Sequence, residues 1–322
     1  MWWKKGIRII LPIALLFAAA PSGTAQVSFG VPVNLGPSVN TGDDDGCPSL
    51  TADGLELYFH SDRAGGVGGY DLWVSTRAAA DLPWGKAVNL GPVLNSIASE
   101  ISPTISSDGL ELFFSDYGAP RPGDVGATDI WVSTRASRHD PWQTPVNLGP
   151  AVNSAEDEIT PVISADGLEL IFDSYRPGGV GASDLWVARR DSKSAPWQRP
   201  QWLGATLNKE GIEHCPTISA DGLALYYDYT PPGSETEAGD LMLARRSSLS
   251  AAWGEPISLG QSFSTHWAAS VSHDGKTLYF TSTREGGLGN SDVWAVPIVL
   301  DALSIAQRPA MAAAVSIAGR SQ

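Results

Sequence analysis

One twelve-residue segment occurs five times in this chain, so the fold has to be one that uses the same unit five times. The copies occupy residues 48–59 (Pro-Ser-Leu-Thr-Ala-Asp-Gly-Leu-Glu-Leu-Tyr-Phe), 103–114, 161–172, 216–227 and 269–280. They start 55, 58, 55 and 53 residues apart. A period this long, carrying several short strands, points to propeller blades. In each copy an Asp-Gly pair (Asp53-Gly54, Asp108-Gly109, Asp166-Gly167, Asp221-Gly222, Asp274-Gly275) divides two apolar runs. Asp-Gly tolerates the positive φ of a tight hairpin turn, so the runs become strands A and B. A loop rich in Gly and Pro follows, as in 62–69. Strand C comes next (71–75, 129–133, 184–188, 240–244, 292–296), and then strand D (84–91, 142–149, 197–204, 253–260).

The fifth copy has A, B and C but no D. Residues 29–36 (Phe-Gly-Val-Pro-Val-Asn-Leu-Gly) match the D pattern and precede the first A strand. Setting them beside 292–296 completes the fifth sheet and leaves no blade open. The expected fold is therefore all-β: a single five-bladed β-propeller of four-stranded antiparallel blades over 26–300, its ring closed by the N-terminal strand. Trp73, Trp131, Trp186 and Trp294 share one strand C position, with Met242 as the exception, and Trp84, Trp142, Trp197 and Trp253 share another. Flat side chains recurring this way are expected to fill the wedges between blades.

Lys4 and Lys5, an apolar run from Ile7 to Ala20 broken only by Arg8 and Pro12, and a small-residue end at Ala25 read as a secretory signal peptide over 1–25. Its apolar core is too short for a spanning helix, and no later stretch is long and apolar enough to cross a bilayer. An exported protein, periplasmic or extracellular, is expected. Residues 301–322, rich in Ala and Ser, form a tail outside the repeats. Without Lys4, Lys5 and Arg8 the 21 basic residues become 18 against 35 acidic ones, a formal charge of −17. Such a surface repels phosphate backbones and argues against nucleic acid as a partner.

The repeat pattern Pro-x-Ile/Leu-Ser/Thr-x-Asp-Gly-x-x-Leu-Tyr-Phe, followed by Ser-Asp-Arg-x-Gly-Gly-x-Gly-Gly-x-Asp-Leu-Trp-Val, resembles the WD40-like repeats of the TolB-type propeller family, also called PD40. The resemblance covers residues 27–299. Blade 2 (Asp116-Tyr117-Gly118) and blade 4 (Tyr227-Asp228-Tyr229-Thr230-Pro231, and Gly239-Asp240) depart from the loop pattern. The resemblance implies the fold firmly and function loosely, because these repeats serve in periplasmic scaffold and binding proteins and are not themselves catalytic.

In a propeller the D–A and B–C loops open on one face, near the central channel. Asp45, Glu100, Glu158, Glu213 and His266 lie three residues before the first position of each A-strand segment, and are expected to ring the channel mouth. Two accounts are open for this ring. The acids cap backbone N–H groups or pair with the loop arginines Arg63, Arg176 and Arg284; or Asp45, Glu100, Glu158 and Glu213 form an all-oxygen site for a hard cation, with Ca²⁺ the natural candidate. A second layer lies at the end of strand B, immediately after the aromatic: His60, Ser115, Asp173, Asp228 and Thr281. Here the copies disagree, and a specific function can hide in that disagreement. Asp173 and Asp228 with Glu158 could imitate the three carboxylates of five-bladed inverting glycosidases. The histidines do not fall at metal-ligand spacing along the chain, and no nucleophile elbow or phosphate loop is present.

The reading that follows is a non-enzymatic binding or scaffold propeller, expected to be monomeric. It would recognise a protein, peptide or glycan of the cell envelope through Asp45, Glu100, Glu158, Glu213, His266, His60, Asp173 and Asp228. The alternative is a carbohydrate-active enzyme using Asp173, Asp228 and Glu158. Cys47 and Cys215 occupy the same position in blades 1 and 4, which are not neighbours in a ring of five. Facing sheets pack about 10 Å apart and a pentagon's diagonal is about 1.6 times its side, so the pair lies beyond the ~7 Å reach of a disulfide. Denaturation without reductant should release two free thiols per chain; an intramolecular link found by mass spectrometry would overturn the blade register.

Overall fold

A computed structural model describes residues 27–119, 121–234, 239–259 and 266–300, the side chains of residues 266, 267 and 300 excepted. The segments expected to be signal peptide (1–25) and tail (301–322) lie outside the described residues. Blade 1 comprises β3 (Asp45–Leu50), β4 (Glu56–Ser61), β5 (Asp71–Thr76) and β6 (Val88–Asn89). Blade 2 comprises β7 (Ser99–Ile105), β8 (Glu111–Tyr117), β9 (Asp129–Thr134) and β10 (Val146–Asn147). Blade 3 holds β11 (Glu158–Ile163), β12 (Glu169–Ser174), β13 (Asp184–Arg189) and β14 (Gln201–Trp202). Blade 4 holds β15 (Ile212–Ile218), β16 (Ala224–Thr230), β17 (Asp240–Arg245) and β18 (Ile257–Ser258). Blade 5 takes β19 (His266–Val271), β20 (Thr277–Ser282) and β21 (Asp292–Leu300) from one end of the chain and β1 (Val27–Phe29) and β2 (Val33–Asn34) from the other. Strand A of each blade touches strand A of the next, from β3 through β7, β11, β15 and β19 back to β3. Ser28–Val299 thus form one unit, the five-bladed propeller expected from the repeats.

The Asp-Gly hairpins are longer than the tight turn the pair suggests. Only the glycine takes a positive φ (67° at Gly54, 74° at Gly109, 75° at Gly167). Its N–H donates three residues back, Gly54 to the Thr51 carbonyl at 2.8 Å, and the Thr51 hydroxyl accepts the Glu56 N–H at 3.1 Å. A hydroxyl residue ahead of Asp-Gly therefore adds a side-chain rung and lengthens the loop.

The D strands are also shorter than the sequence pattern, two residues each, and in blades 1, 2 and 5 asparagine side chains take over from the backbone ladder beyond them. In blade 1, Asn89 Oδ1 accepts the Gly91 N–H at 2.8 Å and an Asn95 Nδ2 hydrogen at 2.9 Å, and Asn95 then bonds both the N–H (2.8 Å) and the carbonyl (3.1 Å) of Leu72. Asn147 with Asn153, and Asn34 with Asn40, repeat the device.

The apolar core lies between blades. Tyr58 and Leu72 of blade 1 pack on Leu112, Phe114 and Trp131 of blade 2; Phe113 and Ile130 meet Phe172 and Trp186 across the next junction. The D-segment tryptophans fill the same wedges, Trp142 edge-on to Tyr58 (centroids 6.3 Å apart) and Trp197 edge-on to Phe113 (6.2 Å). Each also lies under a guanidinium, with Arg77, Arg135, Arg190 and Arg246 at 4.1–4.5 Å from the rings. Three of these arginines strap neighbouring blades: Arg135 to Glu56 (2.9 Å), Arg190 to Glu111 (2.6 Å) and Arg246 to Glu169 (2.9 Å).

Closure rests on Val33 facing Ala295, Asn34 facing Trp294, and the Gly30 N–H donating to the Pro297 carbonyl at 2.9 Å. Asn40 adds buried bonds to the Val293 N–H and carbonyl, both 2.9 Å. Asn40→Ala should cost about 1–3 kcal/mol, the range for leaving buried polar groups unmade. Deleting residues 26–36 should abolish the single cooperative melt. A truncated protein that melts like the full chain would show that closure lies elsewhere.

Candidate functional site

The acids before strand A are fully buried, and each is held inside its own blade. Asp45 accepts the Thr41 N–H (2.5 Å) and hydroxyl (3.0 Å) and pairs with Arg63. Glu100 accepts the Ser96 N–H (2.9 Å) and hydroxyl (2.5 Å) and pairs with Arg121 at 2.8 Å. Glu158 accepts the Ser154 N–H and hydroxyl, both 2.6 Å, the Ser174 hydroxyl at 2.7 Å, and Arg176 at 2.9 Å. The arginine lies over two rings of its blade, Phe59 and Trp73 under Arg63, Phe114 and Trp131 under Arg121, and Phe172 and Trp186 under Arg176. Its guanidinium also donates to a D–A loop carbonyl, that of Val39, Leu94 or Val152. These bonds describe the capping and arginine pairing open for Arg63 and Arg176. Arg121 escaped the sequence alignment because the blade 2 loop is longer. The side chain of His266 lies outside the described residues.

Glu213 breaks this pattern. Blade 4 has Pro231 where the other blades carry the arginine, and the Tyr227 hydroxyl donates to the Leu207 carbonyl (3.1 Å) in the guanidinium's place. The carbonyl is satisfied, but among the described residues no arginine or lysine forms an ion pair with the carboxylate. Glu213 is fully buried, accepts the Lys209 N–H at 3.0 Å on Oε1, and has no hydrogen-bond partner on Oε2 among the described residues. Burial raises its pKa to about 8.

Three residues of the second layer, His60, Asp173 and Thr281, lie against the strand A bulge of the next blade. Strand A bulges in every blade, and the bulge residues Cys47, Ser102, Thr160, Cys215 and Ala268 all have positive φ, 48–52°. In three blades the bulge N–H donates to the penultimate residue of strand B of the preceding blade: Cys47 to Thr281 Oγ1 (2.9 Å), Ser102 to His60 Nδ1 (3.2 Å) and Cys215 to Asp173 Oδ1 (3.3 Å). A neutral imidazole is needed for His60 to accept, and burial lowers its pKa to about 4. Asp173 also accepts the Thr160 hydroxyl, and burial raises its pKa to about 6.

Inside the mouth the bulge residues and the prolines after them leave a cavity of about 40 Å³, lined by Cys47, Ser102, Thr160, Cys215 and Ala268 among others. That space suits water-sized species, not a sugar ring. Both cysteines are free, and burial pushes the Cys47 thiol up to about 12 and raises Cys215 as well.

Linear spacing missed one grouping. His214 and Asp228 face each other across β15 and β16, and with Cys215 they bring a ring nitrogen, a carboxylate oxygen and a sulfur within 4.8 Å of one another. The repeat register held the signal, since it pairs the residue two before the A-strand proline with the residue just after the last aromatic of the repeat segment.

No protein-family model matches the sequence, and no curated protein matches it. Among solved structures the fold is similar to exo-beta-1,3-galactanase from Phanerochaete chrysosporium (TM-score 0.56, 13% identity, 83% of this chain and 64% of that one). It is also similar to a thermostable family-43 glycoside hydrolase (TM-score 0.52, 14% identity, 81% and 91%) and to TolB from Acinetobacter baumannii (TM-score 0.48, 16% identity, 79% and 54%). This chain spans about half the length of that TolB. At such identities the likeness shows the fold alone.

Glu213 yields a pH prediction. Its folded pKa of about 8 lies above the ordinary 4.5, so the folded state holds this proton more tightly and stability falls as pH rises from about 4.5 through about 8. Glu213→Gln cannot ionise. It should match the parent's melting temperature near pH 5 and exceed it near pH 8; equal melting curves at both pH values would show that the carboxylate is compensated.

Proposed function

We propose that the chain is an exported, non-enzymatic binding propeller of the WD40-like, PD40 kind, and that the face carrying its D–A and B–C loops recognises a protein or peptide with a basic and apolar surface. The observation that carries this reading is the composition of that face. The two loop sets are joined there by backbone bonds such as Gly69 N–H to the Ala98 carbonyl (3.2 Å) and Ala182 N–H to the Gly211 carbonyl (2.8 Å). Val67, Val125, Val180 and Leu288, one repeat position in four blades, are exposed beside Ile97, Tyr117 and Tyr175. Asp43, Asp62, Asp124, Glu156, Glu210 and Glu285 are exposed among them, while Arg63, Arg121 and Arg176 are turned inward onto buried carboxylates. Exposed aliphatics interleaved with one sign of charge suit a partner of opposite sign.

The glycosidase reading draws on the family-43 likeness. It would need Asp173, Asp228 and Glu158 to be available to a sugar, yet Glu158 is occupied by Arg176 and two hydroxyls and the channel space is about 40 Å³. A calcium ion on the outer acids would likewise compete with the arginines. Binding of cationic amphipathic peptides should weaken with salt, and replacing Asp62, Glu156 and Glu210 with Lys should reduce the association rate about tenfold or more. Turnover of aryl glycosides that is lost in Asp173→Asn would instead establish the enzyme.

A further inference from the structure

We infer that the channel mouth holds a transition-metal site of the zinc class, formed by His214, Cys215 and Asp228. The three are adjacent for separate structural reasons. His214 and Cys215 are consecutive, and the left-handed backbone at Cys215 (φ 52°) turns its thiol into the wall of the central cavity. Asp228 is brought opposite His214 by the β15–β16 register.

The donor set is borderline, with one imidazole, one thiol and one carboxylate, which suits Zn²⁺ and its analogue Co²⁺ rather than Ca²⁺ or Mg²⁺. The geometry also fits. Bonds of about 2.3 Å to sulfur and about 2.0 Å to nitrogen at a tetrahedral angle place the two ligand atoms about 3.5 Å apart. Cys215 Sγ and His214 Nδ1 are 3.5 Å apart. The carboxylate oxygen lies within 4.8 Å of both, so completing the set takes a shift of about 1 Å, within the freedom of an Asp side chain.

Three protein ligands leave a fourth position. Cys47 lines the same cavity, and Asp173 lies beside the Cys215 N–H, so the surroundings are rich in further donors and favour a cation. On binding, the Cys215 thiol releases its proton to solvent and the metal takes the thiolate.

The test uses the full chain without an affinity tag, titrated with Co²⁺ at neutral pH and then with Zn²⁺. The expected result is one equivalent of Co²⁺ bound with a thiolate-to-metal charge-transfer absorption, displaced by Zn²⁺, and a melting temperature that rises with Zn²⁺ by mass action. Cys215→Ser should remove the charge-transfer band. His214→Gln, at a partly exposed position where folding is least at risk, should weaken binding about tenfold or more. A protein that takes up no Co²⁺ or Zn²⁺, or whose uptake is unchanged in His214→Gln, overturns the site. A band that persists in Cys215→Ser and vanishes in Cys47→Ser overturns the ligand assignment.

Discussion

Four blades are made by a chain folding back on its immediate sequence neighbour, but the fifth exists only if Val33, Asn34 and Asn40 reach β21, and Asn40 and Val293 are 253 residues apart. Closing a loop of that length costs about 5 kcal/mol from the logarithmic term alone. The buried Asn40–Val293 bonds help to offset it, as does the packing of Val39, Leu57, Phe59 and Trp73 on Tyr279 and Val293. The ionic straps lie elsewhere. Glu56, Glu111 and Glu169 receive arginines from the following blade, whereas the equivalent positions in blades 4 and 5 are Ala224 and Thr277. The two junctions that flank the closing blade therefore lack this strap and lean on apolar packing and the inner strands.

Within a blade the recurring unit is an acid, an arginine and two aromatic rings. Burying a carboxylate is costly unless it is paired and hydrogen-bonded, and the guanidinium is suited to that task because it bonds a carboxylate and a carbonyl while lying against ring faces. Blade 4 shows that these jobs are separable. Tyr227 keeps the carbonyl bond and Met242 keeps the packing, but no arginine replaces the charge, and burial raises the Glu213 pKa to about 8.

The architecture was legible because its causes are local and repeated. Asp-Gly marks each hairpin, and the missing fifth D strand is matched by residues 29–36. Two details were not. Each D strand pairs over only two residues, and in blades 1, 2 and 5 Asn89, Asn147 and Asn34 bond their own loop beyond it, which no apolar pattern reports. Arg121 is displaced by a longer loop, so repeat alignment could not assign it to Glu100. Pro231 was visible as a departure from the pattern, but its consequence for Glu213 depends on knowing that the arginine turns inward. Likewise, the equivalence of Asp45, Glu100, Glu158 and Glu213 needed only the register, whereas their burial and engagement depend on side-chain direction.

The channel mouth explains why five near-identical blades can carry one local chemistry. The bulge imposes the same left-handed backbone five times, at about 1–2 kcal/mol for each residue that is not glycine. Where its N–H finds a partner in the preceding blade, that partner is a hydroxyl at Thr281, an imidazole at His60 and a carboxylate at Asp173. The backbone asks only for an acceptor and leaves the side-chain type open. The bulge side chain itself points into the cavity, where Cys, Ser, Thr and Ala all fit. Variation at these two positions therefore costs the ring little, and in blades 3 and 4 it has placed Asp173, Cys215 and Asp228 near one another, with His214 beside Cys215 in the chain, while the scaffold around them stays the same.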